Sequence, residues 1–293
     1  MVSVFLGVLC CVLSSLRVLA NGEEHAGLAD NLFIDLTGGV DKPSGEESDG
    51  FGSIGANWGI PVNPGADGLA LGLQLGGDAG LRDHIAEWDA TVGPFARNFK
   101  VFGEQQGALA VLFDYLQTAQ HNDLWAVRPI VGTTVCARDA VGLTGSAGLN
   151  EASKATVTIT TATINRQELA DYFEAFWNHN WNDRVDTEFA TGYQFGGVDE
   201  ALFRGEIVWG ITPNADVSVG GIINTAGNYV CSVSISYHFG GIGRHDTLHN
   251  IYVHQQQDFY TPFPKRGAVS LDPRTAGTSF GPGGGGGFGG GGG

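Results

Sequence analysis

From Asp30 to Phe239 apolar and polar side chains alternate with a period of two, and nearly all the charges fall on one of the two resulting faces. That period belongs to strands, because successive side chains of an extended chain point to opposite sides of a sheet. Leu69, Leu71, Leu73 and Leu75 alternate with Ala70, Gly72 and Gln74, and Val141, Leu143, Ala147 and Leu149 with Gly142, Thr144, Ser146 and Gly148. The last segment sets Tyr229, Cys231, Val233, Ile235, Tyr237 and Phe239 against Val230, Ser232, Ser234, Ser236 and His238. Read through in this way, the chain divides into twelve strands: 31–39, 51–58, 68–75, 95–103, 108–117, 124–135, 140–149, 168–181, 184–195, 200–211, 215–223 and 228–239. Turn chemistry separates them at Asn182-Asp183 and Pro213-Asn214. The threonine-rich run Thr156–Thr163 reads as loop, or as an extension of the eighth strand. Long connections are expected around Pro43, His84 and Glu151, and tight ones at Gln105, Ala137, Asp183 and Asn214. An up-and-down meander places its long loops at one end and its turns at the other in this manner.

The face opposite the apolar one holds Asp35, Lys100, Asp114, Arg128, Glu174, Asp186, Glu188, Arg204, Glu206 and Asp216. Charges this numerous must be solvated or paired. A soluble sandwich or calycin-like barrel meets that condition with its apolar face inside, and an outer-membrane-type barrel meets it the other way round, with polar groups in the lumen. Strand length favours the membrane form, since segments of 8 to 14 residues exceed the 5 to 6 usual in soluble sheets. Aromatic residues near strand ends (Trp58, Trp125, Trp177, Trp181, Tyr193, Trp209, Tyr237, Phe239) fit girdles at two bilayer interfaces. Asp171 alone breaks the apolar face, near the start of its strand, where the interface lowers its cost. The close of the twelfth strand, Tyr237-His238-Phe239, resembles the aromatic-x-aromatic terminus by which outer-membrane barrels engage assembly machinery. Here, however, 54 residues follow. The expected fold is therefore all-β: an antiparallel up-and-down barrel of about twelve strands, of outer-membrane type.

Composition narrows the function classes. Fifteen basic against 31 acidic side chains give a formal charge of −16, which opposes nucleic-acid binding. No apolar run after residue 20 reaches the length of a membrane helix. Residues 1–20 are almost wholly apolar and end in Val18-Leu19-Ala20, so they read as a signal peptide. An n-region without Lys or Arg leaves an uncleaved anchor as the alternative. Residues 21–239 then form the barrel, and residues 240–293 a disordered Pro/Gly-rich tail on its turn side, ending in a glycine run.

Each chemical candidate has a plainer reading that outweighs it. His245, His249 and His254 lack the carboxylates of a metal centre and read as solvated tail residues. His179 with Asp183 suggests an acid/base pair, but with no serine nucleophile signalled nearby it reads as part of an aromatic belt. Gly52, Gly55 and Gly59 precede Ile60-Pro61 rather than a helix, so they are strand glycines and not a phosphate loop. Cys136 and Cys231 fall on opposite walls of a twelve-stranded barrel, too far apart for a disulfide. No cofactor, metal or catalytic group is expected. The seven acids and three bases of the charged face give an open lumen a negative potential that favours cations, and pairing across the lumen gives a plugged one. The functional expectation is a passive, weakly cation-favouring diffusion channel or a structural component of the outer membrane, its partners the lipid bilayer and the barrel-assembly machinery. The alternative is a soluble secreted β-protein that binds a ligand or glycan through its long loops.

The order of short motifs adds a resemblance. Asn31-Leu32-Phe33-Ile34, Asn57-Trp58-Gly59-Ile60-Pro61, Gly72-Leu73-Gln74, Phe113-Asp114-Tyr115-Leu116, Phe176-Trp177-Asn178-His179-Asn180-Trp181 and Pro262-Phe263-Pro264 follow one another along residues 31 to 275. In this the chain resembles a domain-of-unknown-function family of exported bacterial outer-membrane-type β-barrel proteins. The resemblance implies the fold and export, and it brings no activity.

Overall fold

A computed structural model describes residues 32–239, apart from short stretches within several connections, and residues 278–280. The barrel strands are β1 (Leu32–Lys42), β2 (Asp49–Pro64), β3 (Ala70–Arg82), β4 (Ile85–Lys100), β5 (Gln106–Gln117), β6 (Asp123–Cys136) and β7 (Asp139–Gly148). After an excursion made of β8 (Glu151–Val157) and β9 (Ala162–Glu168) come β10 (Asp171–Asn182), β11 (Val185–Phe195), β12 (Glu200–Thr212), β13 (Ala215–Asn224) and β14 (Tyr229–His238), followed by β15 (Thr278–Phe280). Twelve of them close into one antiparallel barrel in the order β1-β14-β13-β12-β11-β10-β7-β6-β5-β4-β3-β2. Closure runs from Phe33 opposite His238 to Lys42 opposite Tyr229, and the Phe239 amide donates to the Leu32 carbonyl at 2.9 Å. No barrel strand is left with an open edge, as a sheet in hydrocarbon requires.

The two ends differ in construction. The turn end holds the connections β2–β3, β4–β5, β6–β7, β10–β11 and β12–β13, and the first strand of each of these hairpins shifts register just before its turn, at Pro61/Asn63, Arg97/Phe99, Thr134/Cys136, Asn180/Asn182 and Gly210/Thr212. A bulge of this kind raises the local twist and lets a short turn close a strongly tilted pair. At the loop end the expected long third connection is absent, because β3 continues to Arg82 and β4 begins at Ile85. Of the run Thr156–Thr163, residues 158–161 lie outside the described residues, and the rest is not an extension of the eighth barrel strand. Thr156 and Val157 end β8 and Ala162 and Thr163 begin β9, with Thr156 opposite Thr163, in a separate three-stranded sheet with β15. Strand β15 thus pairs with a hairpin that leaves the barrel at the loop end, whereas β14 finishes at the turn end. The leader 1–20 and, apart from Thr278–Phe280, the tail 240–293 lie outside the described residues, as do His245, His249 and His254.

Burial is inverted relative to a soluble barrel. Leu36, Leu143, Ile207, Val219, Val233 and Ile235 point outward and are at least half exposed, whereas Asp35, Asp114, Glu188 and Asp216 are buried inside. This disfavours the soluble alternative, whose core the aliphatic residues would have to form. Water against such an exterior would cost the hydrophobic stabilisation that folding ordinarily relies on, and hydrocarbon does not. Aromatic residues gather outside at both ends. At the loop end Tyr115 packs between Trp88 and Trp125, with ring centroids 4.7 and 4.6 Å away. At the turn end Trp177, His179 and Trp181 form a row on β10, with Trp209 and Tyr237 further round. The inner apolar contacts are few and lie mainly on one wall, where Phe95, Leu112, Ile130 and Phe176 meet. There Phe95 lies over Gly72 and Phe176 over Gly142, each directly opposite in register, and an added Cβ on either glycine would fall 2.2 Å from the ring. Cys136 and Cys231 are free and exposed, on β6 and β14 at opposite sides of the barrel.

Candidate functional site: a charged lumen

Alternation on every strand sends the charged residues into one shared interior. Nine of the ten sequence-predicted charges are there: Asp35, Asp114, Arg128, Glu174, Asp186, Glu188, Glu206 and Asp216 are buried, and the Arg204 side chain is only 9% exposed. Lys100 is the exception. It is exposed at the turn end of β4, just past the Arg97/Phe99 register shift that breaks the alternation on which its lumen assignment rested.

The bases organise two clusters. Arg128 on β6 donates to Asp114 on β5 twice, through Nε to Oδ2 at 2.8 Å and Nη2 to Oδ1 at 2.9 Å, and the Thr91 hydroxyl on β4 donates to the same carboxylate at 2.5 Å. A bidentate pair with a third donor satisfies most of a carboxylate's lone pairs, which is what allows it to persist at 3% exposure. Arg204 on β12 reaches Glu174 on β10 at 3.3 Å and also pairs with Glu188 on β11.

A more acidic arc runs along the remaining wall. Asp216 on β13 lies opposite Ser236, Ser236 opposite Asp35, Asp35 opposite Gly55, Gly55 opposite Asp78, and Asp78 opposite Asp89. His238 contacts Asp216 at 2.7 Å, and Thr37 donates to Asp35 at 3.2 Å while sharing a 2.7 Å hydrogen bond with Ser234. Gly55 makes the convergence possible, because a Cβ there would lie 2.3 Å from one Asp78 oxygen and 2.7 Å from one Asp35 oxygen. Among the described residues ten buried carboxylates share the interior with Arg128, Arg204 and His238.

Sequence reasoning missed Asp78, Glu87, Asp89 and His238 as lumen residues. The first three lie where β3 and β4 run beyond the expected boundaries, and the alternation Gly76, Asp78, Gly80 was the available signal. His238 sits on the polar face of the last strand but carries no formal charge in the count. Outside the barrel, Asp171 is exposed at the loop end of β10 and accepts the Gly148 amide at 2.7 Å. His179 meets Asp139 through Nδ1 at 2.7 Å, and that carboxylate also accepts the Trp177 indole at 2.8 Å and the Cys136 thiol at 2.8 Å. The imidazole is thereby tied into the outer aromatic row. No three His, Cys, Asp or Glu residues among those described are placed to hold a metal ion.

Comparison with solved structures finds outer-membrane barrels of low identity. The KdgM porin is 9% identical over 71% of this chain and 99% of its own, with a TM-score of 0.46. Outer membrane phospholipase A from Escherichia coli is 6% identical over 71% and 92%, with a TM-score of 0.44. Omp33 from Acinetobacter baumannii is 10% identical over 72% and 99%, with a TM-score of 0.40. No curated protein matches the chain. Residues 36–253, from early in β1 to beyond the end of β14, match a family of unknown function (DUF6666), and the chain belongs to that family.

Proposed function

We propose that this chain is a non-catalytic structural component of an outer membrane, a closed barrel rather than a wide diffusion channel. The observation that carries this reading is the burial of the lumen side chains: Arg128 is 2% exposed, and Gln74, Gln194 and Asp216 are each 1% exposed. In a water-filled pore such groups would face solvent, whereas here they meet other side chains. Export through the 1–20 leader and insertion by the barrel-assembly machinery belong to the same proposal.

A second reading rests on the excess of carboxylates. If part of the lumen opens, its potential favours cations, because the two arginines are engaged with Asp114, Glu174 and Glu188 while the Asp35 arc faces the passage. Planar-bilayer recording of the purified full chain separates the two. The structural reading predicts no porin-sized conductance steps, and any small residual current should reverse at the cation potential in a salt gradient. Sustained large steps would overturn the closed barrel, and an anion-directed reversal would overturn the cation preference.

A further inference from the structure

The two rims of the barrel differ in their exposed charges among the described residues. At the loop end Asp123 and Asp171 are exposed while Glu200 and Lys42 are half-buried, whereas the turn end exposes Lys100, Arg138 and Arg184 and half-buries Asp139. Arg138 lies in the β6–β7 turn and Arg184 in the β10–β11 turn. Since β7 and β10 are neighbours in the wall, these turns stand side by side, tied by the Asn180 amide donating to the Arg138 carbonyl at 2.9 Å. One guanidinium is loosely anchored, Arg138 Nη1 donating to the Trp181 carbonyl at 3.5 Å. The carboxylate that follows Arg138 in the chain, Asp139, is already occupied by a thiol, an indole and an imidazole. Directly beneath is the outward aromatic row of the turn end, where Trp181 is 55% exposed.

Arginines exposed on adjacent turns just past an aromatic belt lie at the depth of lipid phosphates, and a guanidinium fork matches the geometry of a phosphate while its charge favours a headgroup of net negative charge. We infer that the Arg138–Arg184 edge is a binding surface for the headgroup of an anionic phospholipid. The inference rests on the membrane reading above and deepens it by naming a lipid class and a side of the barrel.

The test is native mass spectrometry of the full chain released from bilayers of mixed phosphatidylglycerol and phosphatidylcholine. Wild type should retain phosphatidylglycerol in preference by roughly fivefold or more, the ratio set by about one favourable arginine contact at a charged surface. R138Q/R184Q should retain both lipids equally, R138K/R184K should keep part of the preference, and D123N/D171N should leave it unchanged. A shift in gel mobility between unboiled and boiled samples verifies that each variant is folded. Equal retention by wild type, or a preference that survives R138Q/R184Q, would overturn the inference. A folded wild-type chain that carries neither lipid would instead defeat the membrane reading on which it rests.

Discussion

At Gly55 a missing side chain decides what its neighbours do, because Asp35 and Asp78 both turn an oxygen into the space a Cβ would occupy. Gly55→Val should therefore force both carboxylates aside and destabilise the barrel by about 1–3 kcal/mol, the usual cost of overpacking, measured by urea unfolding in lipid vesicles. Arg128 makes a sharper case. Arg128→Met leaves Asp114 buried without its bidentate partner and should cost about 3–5 kcal/mol, whereas Asp114→Leu with Arg128→Met should recover most of that loss. A double variant as unstable as the single one would mean that the pair contributes packing alone. The inward burial of most of these charges was legible from alternation. Asp78 and Asp89 were not, because glycines and acidic residues at the ends of β3 and β4 carry the same composition as loops, so that the short alternation there is a weak signal until pairing with neighbouring strands shows that the ladder continues.

The individual strand is readable because its two faces meet different media. On β13 Val219 faces outward at mid-strand, so Val219→Arg should cost about 2–4 kcal/mol, while Ile211→Arg at the turn-end rim should cost about 0–1 kcal/mol, compared by the same urea titration. Equal costs at the two positions would argue against a membrane depth profile. Connections were less legible than strands. The tight turns at Asp183 and Asn214 carry recognisable chemistry, but His84 marks a short link and not a long loop. The β8–β9 hairpin was hidden because the alternation of Ala155, Val157 and Ile159 with Thr156, Thr158 and Thr160 is equally consistent with an extension of the eighth strand. Since that hairpin belongs to a separate sheet, replacing residues 151–168 by a short Asn-Gly turn should leave the barrel intact, and a boiled-versus-unboiled mobility shift checks it. Loss of the shift would mean that the excursion helps close β7 onto β10.

For the molecule as a whole, strand count, closure and the sidedness of the wall follow from period-two patterning with charges confined to one face. The state of the lumen does not follow from it. A list of lumen charges is compatible with a pore or a plug, and only their spatial pairing, as in Arg204 of β12 with Glu174 of β10 and Glu188 of β11, favours the filled interior. Everything else depends on what touches the outer surface. Spin labels at Val233→Cys and, separately, at Ser234→Cys in a Cys136→Ser/Cys231→Ser background, reconstituted in lipid vesicles, address that contact by power saturation. The Val233 label should be accessible to oxygen and shielded from a water-soluble nickel complex, as hydrocarbon contact requires, and the Ser234 label should lack that oxygen access. A Val233 label relaxed strongly by the nickel complex, or a Ser234 label with the greater oxygen access, would contradict the account.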